Sequence, residues 1–340
     1  MVDVFCGIGG FSSGAMDAGC SIELGVENQS LILRSWAANT TGRAVCATVG
    51  ADEIPWPKAA PDLFVHLSPP CTALSKARAG RASSVEMEGG LEMVRFSLDL
   101  VIEKGYSNWS LENVSTCQTR GLLEEYATKH PTQIAYTTID AADYGTPQNR
   151  SRLIASTPAT IKLLREQPVR RLTIADAFAA AGRPLPATHI KSNTSNRDGS
   201  PCIRSAHEQA FTLTASHPLT WANRDGSTIR CLTPSECALL QGFPAHWRLP
   251  PGSRVGIRAA GNAIPPLLAS SIVRAALEAA GYQAPPPPPS TAAPPSDPPP
   301  PQPAPPTEPA APTVSVAKYR ALKRRVEMLE EAVCAIRRCQ

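Results

Sequence analysis

Four residues in the first half of the chain could do chemistry together: Cys71, Glu112, Arg150 and Arg152. Cys71 ends the run Phe64-Val65-His66-Leu67-Ser68-Pro69-Pro70-Cys71, an apolar strand stopped by two prolines. Neither proline has a backbone donor and both fix their own φ, so the thiol leaves the strand in a restrained direction. A stiff mount suits a nucleophile; the plainer reading is one more buried cysteine. Glu112 sits at the end of a second strand-like run, Trp109-Ser110-Leu111-Glu112-Asn113-Val114. Sites in open α/β sheets form at the carboxyl ends of strands, where Cys71 and Glu112 would meet. A solvated surface carboxylate is the alternative. Arg150 and Arg152, two apart, would share one face of a strand and suit an anion or a polar base edge.

The elements that must position these groups begin at Asp3. Asp3-Val4-Phe5-Cys6-Gly7-Ile8-Gly9-Gly10-Phe11-Ser12-Ser13-Gly14 reads as a strand, a glycine-rich turn and a helix through about Ala18, the order of a nucleotide-binding βα unit. Gly25-Val26-Glu27 ends a second strand with a carboxylate able to accept from ribose hydroxyls. No Gly-Lys-Ser/Thr follows the turn, which argues against a phosphate-binding loop and leaves a dinucleotide or a nucleoside such as S-adenosylmethionine. A small, basic segment, residues 76–84, could close over a substrate, and Leu91, Val94, Leu98, Val101 and Ile102 then follow helical spacing.

At 340 residues and 42% hydrophobic content the chain has enough material for one large or two smaller cores. It shows no membrane span, and its first residues lack a basic, cleavable leader, so an intracellular protein is expected, in the cytoplasm or in a eukaryotic nucleus. The ten cysteines include no Cys-x-x-Cys pair, which speaks for reduced thiols and against a metal site. The net charge of +4 is unevenly spread. Residues 1–161 hold 12 Lys/Arg and 17 Asp/Glu, a balance of −5, whereas residues 162–230 hold 10 and 5, a balance of +5. Such a split suits a polyanion gripped by one part and worked on by another; a solvated basic face is the commoner cause.

These residues resemble the cytosine-C5 DNA methyltransferases. Asp3 to Gly14 is similar to the first motif of that family, Ser68-Pro69-Pro70-Cys71 to its catalytic motif, Glu112-Asn113-Val114 to its Glu-Asn-Val motif, and Tyr144 to Arg152 to its Pro-Gln-x-Arg-x-Arg motif. Arg230 to Glu236 with Leu240-Gln241-Gly242-Phe243-Pro244 resembles motif nine, and Gly261-Asn262-Ala263-Ile264-Pro265-Pro266 motif ten. Six motifs in the family's order, over residues 3 to about 280, are far more specific than any one. The resemblance implies a doubly wound, Rossmann-like α/β domain that binds S-adenosylmethionine, a small basic target-recognition domain and a C-terminal helical tail. It implies methylation of C5 of cytosine in double-stranded DNA, with Cys71 adding to C6 of a flipped-out base, Glu112 reading N3 and the exocyclic amine, and Arg150 and Arg152 positioning the pyrimidine. Asp3, Phe5, Gly7, Gly9, Gly10, Glu27, Pro69 and Asn262 would hold the cofactor, and Asp52 is the nearest counterpart of the residue that reads the adenine amine. Ser75, Gln148, Arg197, Arg204, Thr212, Arg224, Arg230 and Gln241 would touch DNA. Two positions depart from the family: Thr72 stands where Gln is usual, and Leu67-Ser68 where two glycines are.

On this reading residues 1–156 and 230–283 form the catalytic domain, and residues 157–229 the recognition domain. Residues 284–312, with proline runs at 285–289 and 298–301, make an extended spacer. Tyr319, Leu322, Val326, Leu329, Val333 and Ile336 are spaced 3, 4, 3, 4, 3, so residues 313–340 read as a short coiled coil that would join chains, or as a lone amphipathic helix. Three other functions remain to be weighed. An RNA substrate is possible in the family, but its Cys-Phe-Thr element is missing here; a non-catalytic DNA-binding module leaves Cys71, Glu112 and Arg152 without a purpose; an oxidoreductase leaves Pro69-Pro70-Cys71 without one.

Overall fold

The computed structural model describes residues 1–71, 74, 84–196, 198–215 and 219–283. Ser75, Arg197, the spacer and the C-terminal helix lie outside the described residues.

Eleven strands and nine helices are described, in two units. The large unit is a seven-stranded sheet of order β3-β2-β1-β4-β5-β7-β6. Its strands are β1 (Val2–Val4), β2 (Leu24–Glu27), β3 (Arg43–Cys46), β4 (Phe64–Leu67), β5 (Asn108–Asn113), β6 (Ala135–Asp140) and β7 (Ser151–Ser156). All neighbours are parallel except β7, which runs antiparallel to both β5 and β6. The central strands β1 and β4 are buried throughout, as expected where helices cover both faces of a sheet. From β1 the chain winds outward to β2 and β3, then returns to lay β4 on the other side of β1. The order reverses there, which opens a crevice beyond the carboxyl ends of β1 and β4.

One face of the sheet carries α1 (Gly10–Asp17), α5 (Pro158–Glu166) and α9 (Pro266–Ala279), sharing a core of Phe11, Ala15, Ile161, Leu164, Leu268, Ile272 and Val273. The other face carries α3 (Ser84–Lys104) and α4 (Cys117–Lys129), packed through Val94, Leu98, Leu122 and Leu123 against Val65, Trp109 and Leu111. α2 (Ser30–Ala37) presents Trp36, wholly buried, to the β2 side. The doubly wound architecture is the one expected from the strand-turn-helix order. Both ends of the smaller unit lie further along the chain than the 157–229 expected: the helix over Pro158–Glu166 packs in the core of the large unit, and the last strand of the smaller sheet ends at Cys231.

The smaller unit is a four-stranded antiparallel sheet of order β11-β10-β8-β9, made of β8 (His189–Ser195), β9 (Pro201–Ser205), β10 (Thr220–Ala222) and β11 (Thr228–Cys231). It packs with α6 (Ile174–Ala180) and α7 (Pro234–Gln241) around Phe178, Ile190, Leu213, Trp221 and Leu240. The sequence marks both ends of α7: Thr233 and Glu236 form a capping box, Pro234 occupies the first turn and Gly242 closes the helix in the left-handed conformation. α8 (Ser253–Asn262) then brings the chain back to the crevice.

Candidate active site

β1 delivers Phe5 into the crevice at φ 63, which makes it the sole non-glycine residue with positive φ among the described residues. Gly7 follows at φ 55, and a side chain there would meet open space, so glycine is needed for the backbone conformation. Gly10 is needed for a different reason: a Cβ would lie 2.1 Å from the Ile264 carbonyl oxygen. The turn is thus clamped between its own strand and the segment after α8. Gly9 caps α1 beside Trp36 and Trp247, and Trp247 Nε1–H donates to the Ile8 carbonyl at 2.9 Å.

These elements enclose a cavity of about 400 Å³, lined at one end by Asp3, Phe5, Gly7, Gly10, Glu27 and Asn262 and at the other by Pro69, Pro70, Cys71 and Glu112. Glu27 is held rigidly. Its Oε2 accepts from the Gly7 N–H at 3.3 Å and its Oε1 from the Gln29 N–H at 2.9 Å. Asp52 stands off the cavity: its Oδ2 accepts from the Thr48 N–H at 2.7 Å, and Thr48 and Val49 form the wall instead. Asp52 therefore orders a turn behind the wall. The sequence reading missed Arg258, which lines the cavity one helical turn before Asn262; the four-residue spacing on α8 was the available signal.

Asp3 is 1% exposed, with Oδ2 accepting from the Ser12 N–H and hydroxyl at 3.2 and 2.6 Å and Oδ1 without a partner. Burial pushes its carboxyl from 3.8 up to about 7. The folded chain holds this proton to about pH 7 while the unfolded chain releases it near 3.8, so the stability it contributes is complete below 3.8 and is lost as the pH rises through 7. Asp3→Asn, always neutral, escapes that loss. Between pH 4 and pH 7 the variant should gain on the wild type by up to about 4 kcal/mol in urea unfolding. A stability difference that does not change with pH would mean that Asp3 is already ionised in the fold.

At the other end of the cavity, Ser68 N–H bonds the Val4 carbonyl at 3.2 Å and Asn113 Nδ2–H bonds the Pro69 carbonyl at 3.0 Å. These two bonds tie the Pro-Pro-Cys turn to both neighbouring strands. Cys71 is half-buried, and Glu112 is 7% exposed within β5. Arg152 Nε–H donates to Glu112 Oε1 at 2.7 Å, with both side chains about nine-tenths buried. Burial raises the Cys71 thiol above its ordinary range, the Glu112 carboxylate pushes the same way, and Arg152 and Arg150 oppose them.

Arg150 departs from expectation. It precedes β7 and does not line the cavity; its guanidinium donates to the carbonyls of Leu213, Gly261 and Ala263 at 2.8, 2.8 and 3.0 Å. Gln148 and Gln241, both 0% exposed, belong to the same tie rather than to a DNA-facing surface. Gln148 Nε2–H donates to the Leu240 carbonyl and to Gln241 Oε1 at 2.9 and 2.7 Å, Gln148 Oε1 accepts from the Leu213 N–H at 2.9 Å, and Gln241 Nε2–H donates to the Ala260 carbonyl at 2.5 Å. This buried network locks the smaller unit and the end of α8 onto the large sheet. Arg150→Met should leave the Leu213 and Gly261 carbonyls without their donor, the Ala263 carbonyl keeping its bond from Gln241 Nε2–H, and lower the unfolding free energy by about 2–4 kcal/mol, measured by denaturant titration.

The other residues expected on DNA are scattered. Arg204 is half-buried, bonded to Asn149 Oδ1 at 2.5 Å and lying 4.3 Å from the centre of the Phe211 ring. Arg230 is committed to Glu236 at 2.6 Å, and the exposed Thr212 donates to the Asn149 carbonyl at 2.6 Å. Arg224 is exposed at the turn between β10 and β11.

Similar folds occur among solved structures. A prophage-encoded protein of E. coli, described as a DNA modification methyltransferase, shares 18% identity, with 83% of this chain and 99% of that one covered at a TM-score of 0.59. The Dnmt2 methyltransferase of S. pombe and the methyltransferase EhMeth of Entamoeba histolytica each share 12%, with 82% of this chain and 97% of theirs covered, at TM-scores of 0.51 and 0.52. At such identities the likeness is one of fold. None of the curated proteins matches the sequence. The profile of the C-5 cytosine-specific DNA methylases matches residues 1–157 and 170–278, the two stretches that build the sheet, the cavity and its closing helices. With that match over most of its length, the chain belongs to the C-5 cytosine-specific DNA methylase family.

Proposed function

We propose that this methyltransferase transfers a methyl group from S-adenosylmethionine to C5 of cytosine in double-stranded DNA. The observation that carries the proposal is the single cavity shared by Cys71 and Glu112 at one end and by Phe5, Gly7, Glu27 and Asn262 at the other. The cavity volume suits a nucleoside-sized cofactor. Glu27 keeps free lone pairs for ribose hydroxyls, and Asn262 and Arg258 offer polar groups from the opposite wall. When bound, S-adenosylmethionine supplies an electrophilic methyl group.

The base must leave the helix to reach Cys71, because its ring is otherwise stacked. Cys71 loses its thiol proton to solvent, the thiolate forms a bond to C6, and the electron pair of the C5–C6 double bond becomes available at C5. Glu112 hydrogen-bonds N3 and the exocyclic amine, favouring that shift of charge. Arg152 fixes one oxygen of Glu112 and so orients the other toward the base. C5 takes the methyl group; its proton then departs to solvent, the pair left behind restores the double bond, and the thiolate leaves C6. The excess of basic residues over 162–230 favours a polyanion as the substrate.

Bisulfite sequencing of DNA from cells expressing the protein tests base, position and context together. Protected cytosines in a fixed context, absent with Cys71→Ala, are expected. Uniform conversion with the wild type, or protection only in RNA, would overturn the DNA reading.

A further inference from the structure

The lining of the cavity is lopsided in charge. Three carboxyl groups face it, those of Asp3, Glu27 and Glu112, and Arg258 is its one basic side chain among the described residues. Arg258 is exposed, and within the described residues it makes no hydrogen bond or ion pair. The arginines nearest the chemistry are already committed, Arg152 to Glu112 and Arg150 to the carbonyls of Leu213, Gly261 and Ala263. An exposed arginine ordinarily does no more than meet solvent. This one stands in the wall of an acidic cavity, and no pairing within the described chain accounts for a guanidinium there.

Its mount is stiff. Ala259 packs with Ile8 and Ile32, Gly256 lies so close to Pro234 that a Cβ would come within 2.8 Å of that ring, and the Ala260 carbonyl accepts from Gln241 Nε2–H at 2.5 Å. Together with the bonds from Arg150, these contacts hold α8 against rolling, so Arg258 and Asn262, four residues apart, stay in the wall together. The start of α1 abuts the same wall, since Gly10 meets the carbonyl of Ile264, two residues beyond α8. Gly9 gives α1 no side-chain cap, its first turn holds no acidic residue, and Gly10 and Phe11 line the cavity. The positive end of that helix therefore faces the space that Arg258 borders.

S-adenosylmethionine carries a positive sulfonium, a positive ammonium and a negative carboxylate. Its cationic centres suit an acidic lining; its carboxylate is repelled by that lining everywhere except beside Arg258 and the start of α1. A guanidinium can give a carboxylate two parallel hydrogen bonds. Resting on the cofactor assignment made under the proposed function, we propose that Arg258 is a cofactor-binding residue that receives the carboxylate of the methionine moiety, with the first N–H groups of α1 as its further donors. The cofactor then lies with its adenosine toward Glu27 and its amino-acid end toward α8. Arg258 in this role separates the intact cofactor from adenine nucleosides that lack the carboxylate.

The test is calorimetric titration of the full-length protein, without DNA, by S-adenosylmethionine and by decarboxylated S-adenosylmethionine, which keeps both positive charges and loses only the carboxylate. The wild type should bind the intact cofactor about 10- to 50-fold more tightly than the decarboxylated one. In Arg258→Ala, and in Arg258→Gln, which keeps most of the stem, that preference should fall to about 3-fold or less, while affinity for the decarboxylated cofactor stays near the wild-type value. Arg258→Lys, a charge without the fork, should recover part of the preference. Equal losses for both ligands would make Arg258 a piece of wall and overturn the inference. So would unchanged binding of both ligands, including the case in which the variants lose affinity for DNA and Arg258 is a phosphate contact. A wild type that binds neither ligand would bring down the cofactor assignment and the inference together, whereas one that binds both as expected and methylates no DNA would leave this inference standing and overturn the DNA reading.

Discussion

Replacing Cys71 by alanine should lower methyl transfer on the order of 10⁴-fold or more while changing affinity for DNA and cofactor only a few-fold. The change removes the atom that bonds C6 but no basic side chain and no wall of the cofactor end of the cavity. Rescue by another thiol is not expected. Cys6 also lines the cavity, but it lies beside the glycine-rich turn, and burial pushes its thiol well above the ordinary range. A duplex carrying 5-fluorocytosine gives a second reading, because fluorine cannot leave as a proton does. The wild type should stay attached to it through denaturation in the presence of S-adenosylmethionine, and Cys71→Ala should not. Labelled methyl transferred by the variant at near wild-type rate would refute the covalent route.

Glu112→Gln should cut turnover by about 10²- to 10⁴-fold with a smaller loss of DNA affinity. The amide keeps the shape of the carboxyl group, and its carbonyl oxygen can still accept from Arg152 Nε–H, now 2.7 Å from Glu112 Oε1. What disappears is the negative charge and the ability to share a proton with N3. Single-turnover kinetics beside a binding titration separates the two effects. Matching losses in rate and binding would reduce Glu112 to a positioning residue.

The elements that run along the chain were the legible part. Apolar runs ending at Pro69-Pro70 and at Glu112, and a glycine-rich turn before α1, each depend on a short stretch of sequence, and the strands and turn lie where those stretches predict. Partners supplied from far along the chain were not legible. Gln148 and Arg150 are polar residues in a polar-looking segment, and Gln241 is a lone polar residue after Leu239-Leu240; residue type alone suggests solvent or DNA for all three. The groups that bury them come from residues up to 113 positions away, and no periodicity announces those carbonyls. Asp52 was placed by its residue type, but its hydrogen bond to Thr48 turns it from the cavity. The end of the recognition segment nearest α5 was misplaced for a related reason: the charge count changes there, while the apolar stripe of Ile161 and Leu164 still belongs to the large core.

The clamp on Gly10 has a consequence for how the protein comes into being. A ribosome completes Cys71, Glu112 and Arg152 well before Ile264, whose carbonyl presses on that glycine, and before α9, which covers Phe11 and Ala15 of α1. Until those residues emerge, the Cys71 thiol sits on a chain whose first helix lacks its cover and whose glycine-rich turn lacks its opposing wall. The recognition hairpins, inserted between β7 and α8, lengthen that interval by their own synthesis time. On the proposed function the nascent chain would be inert until α9, the last helix among the described residues, is in place.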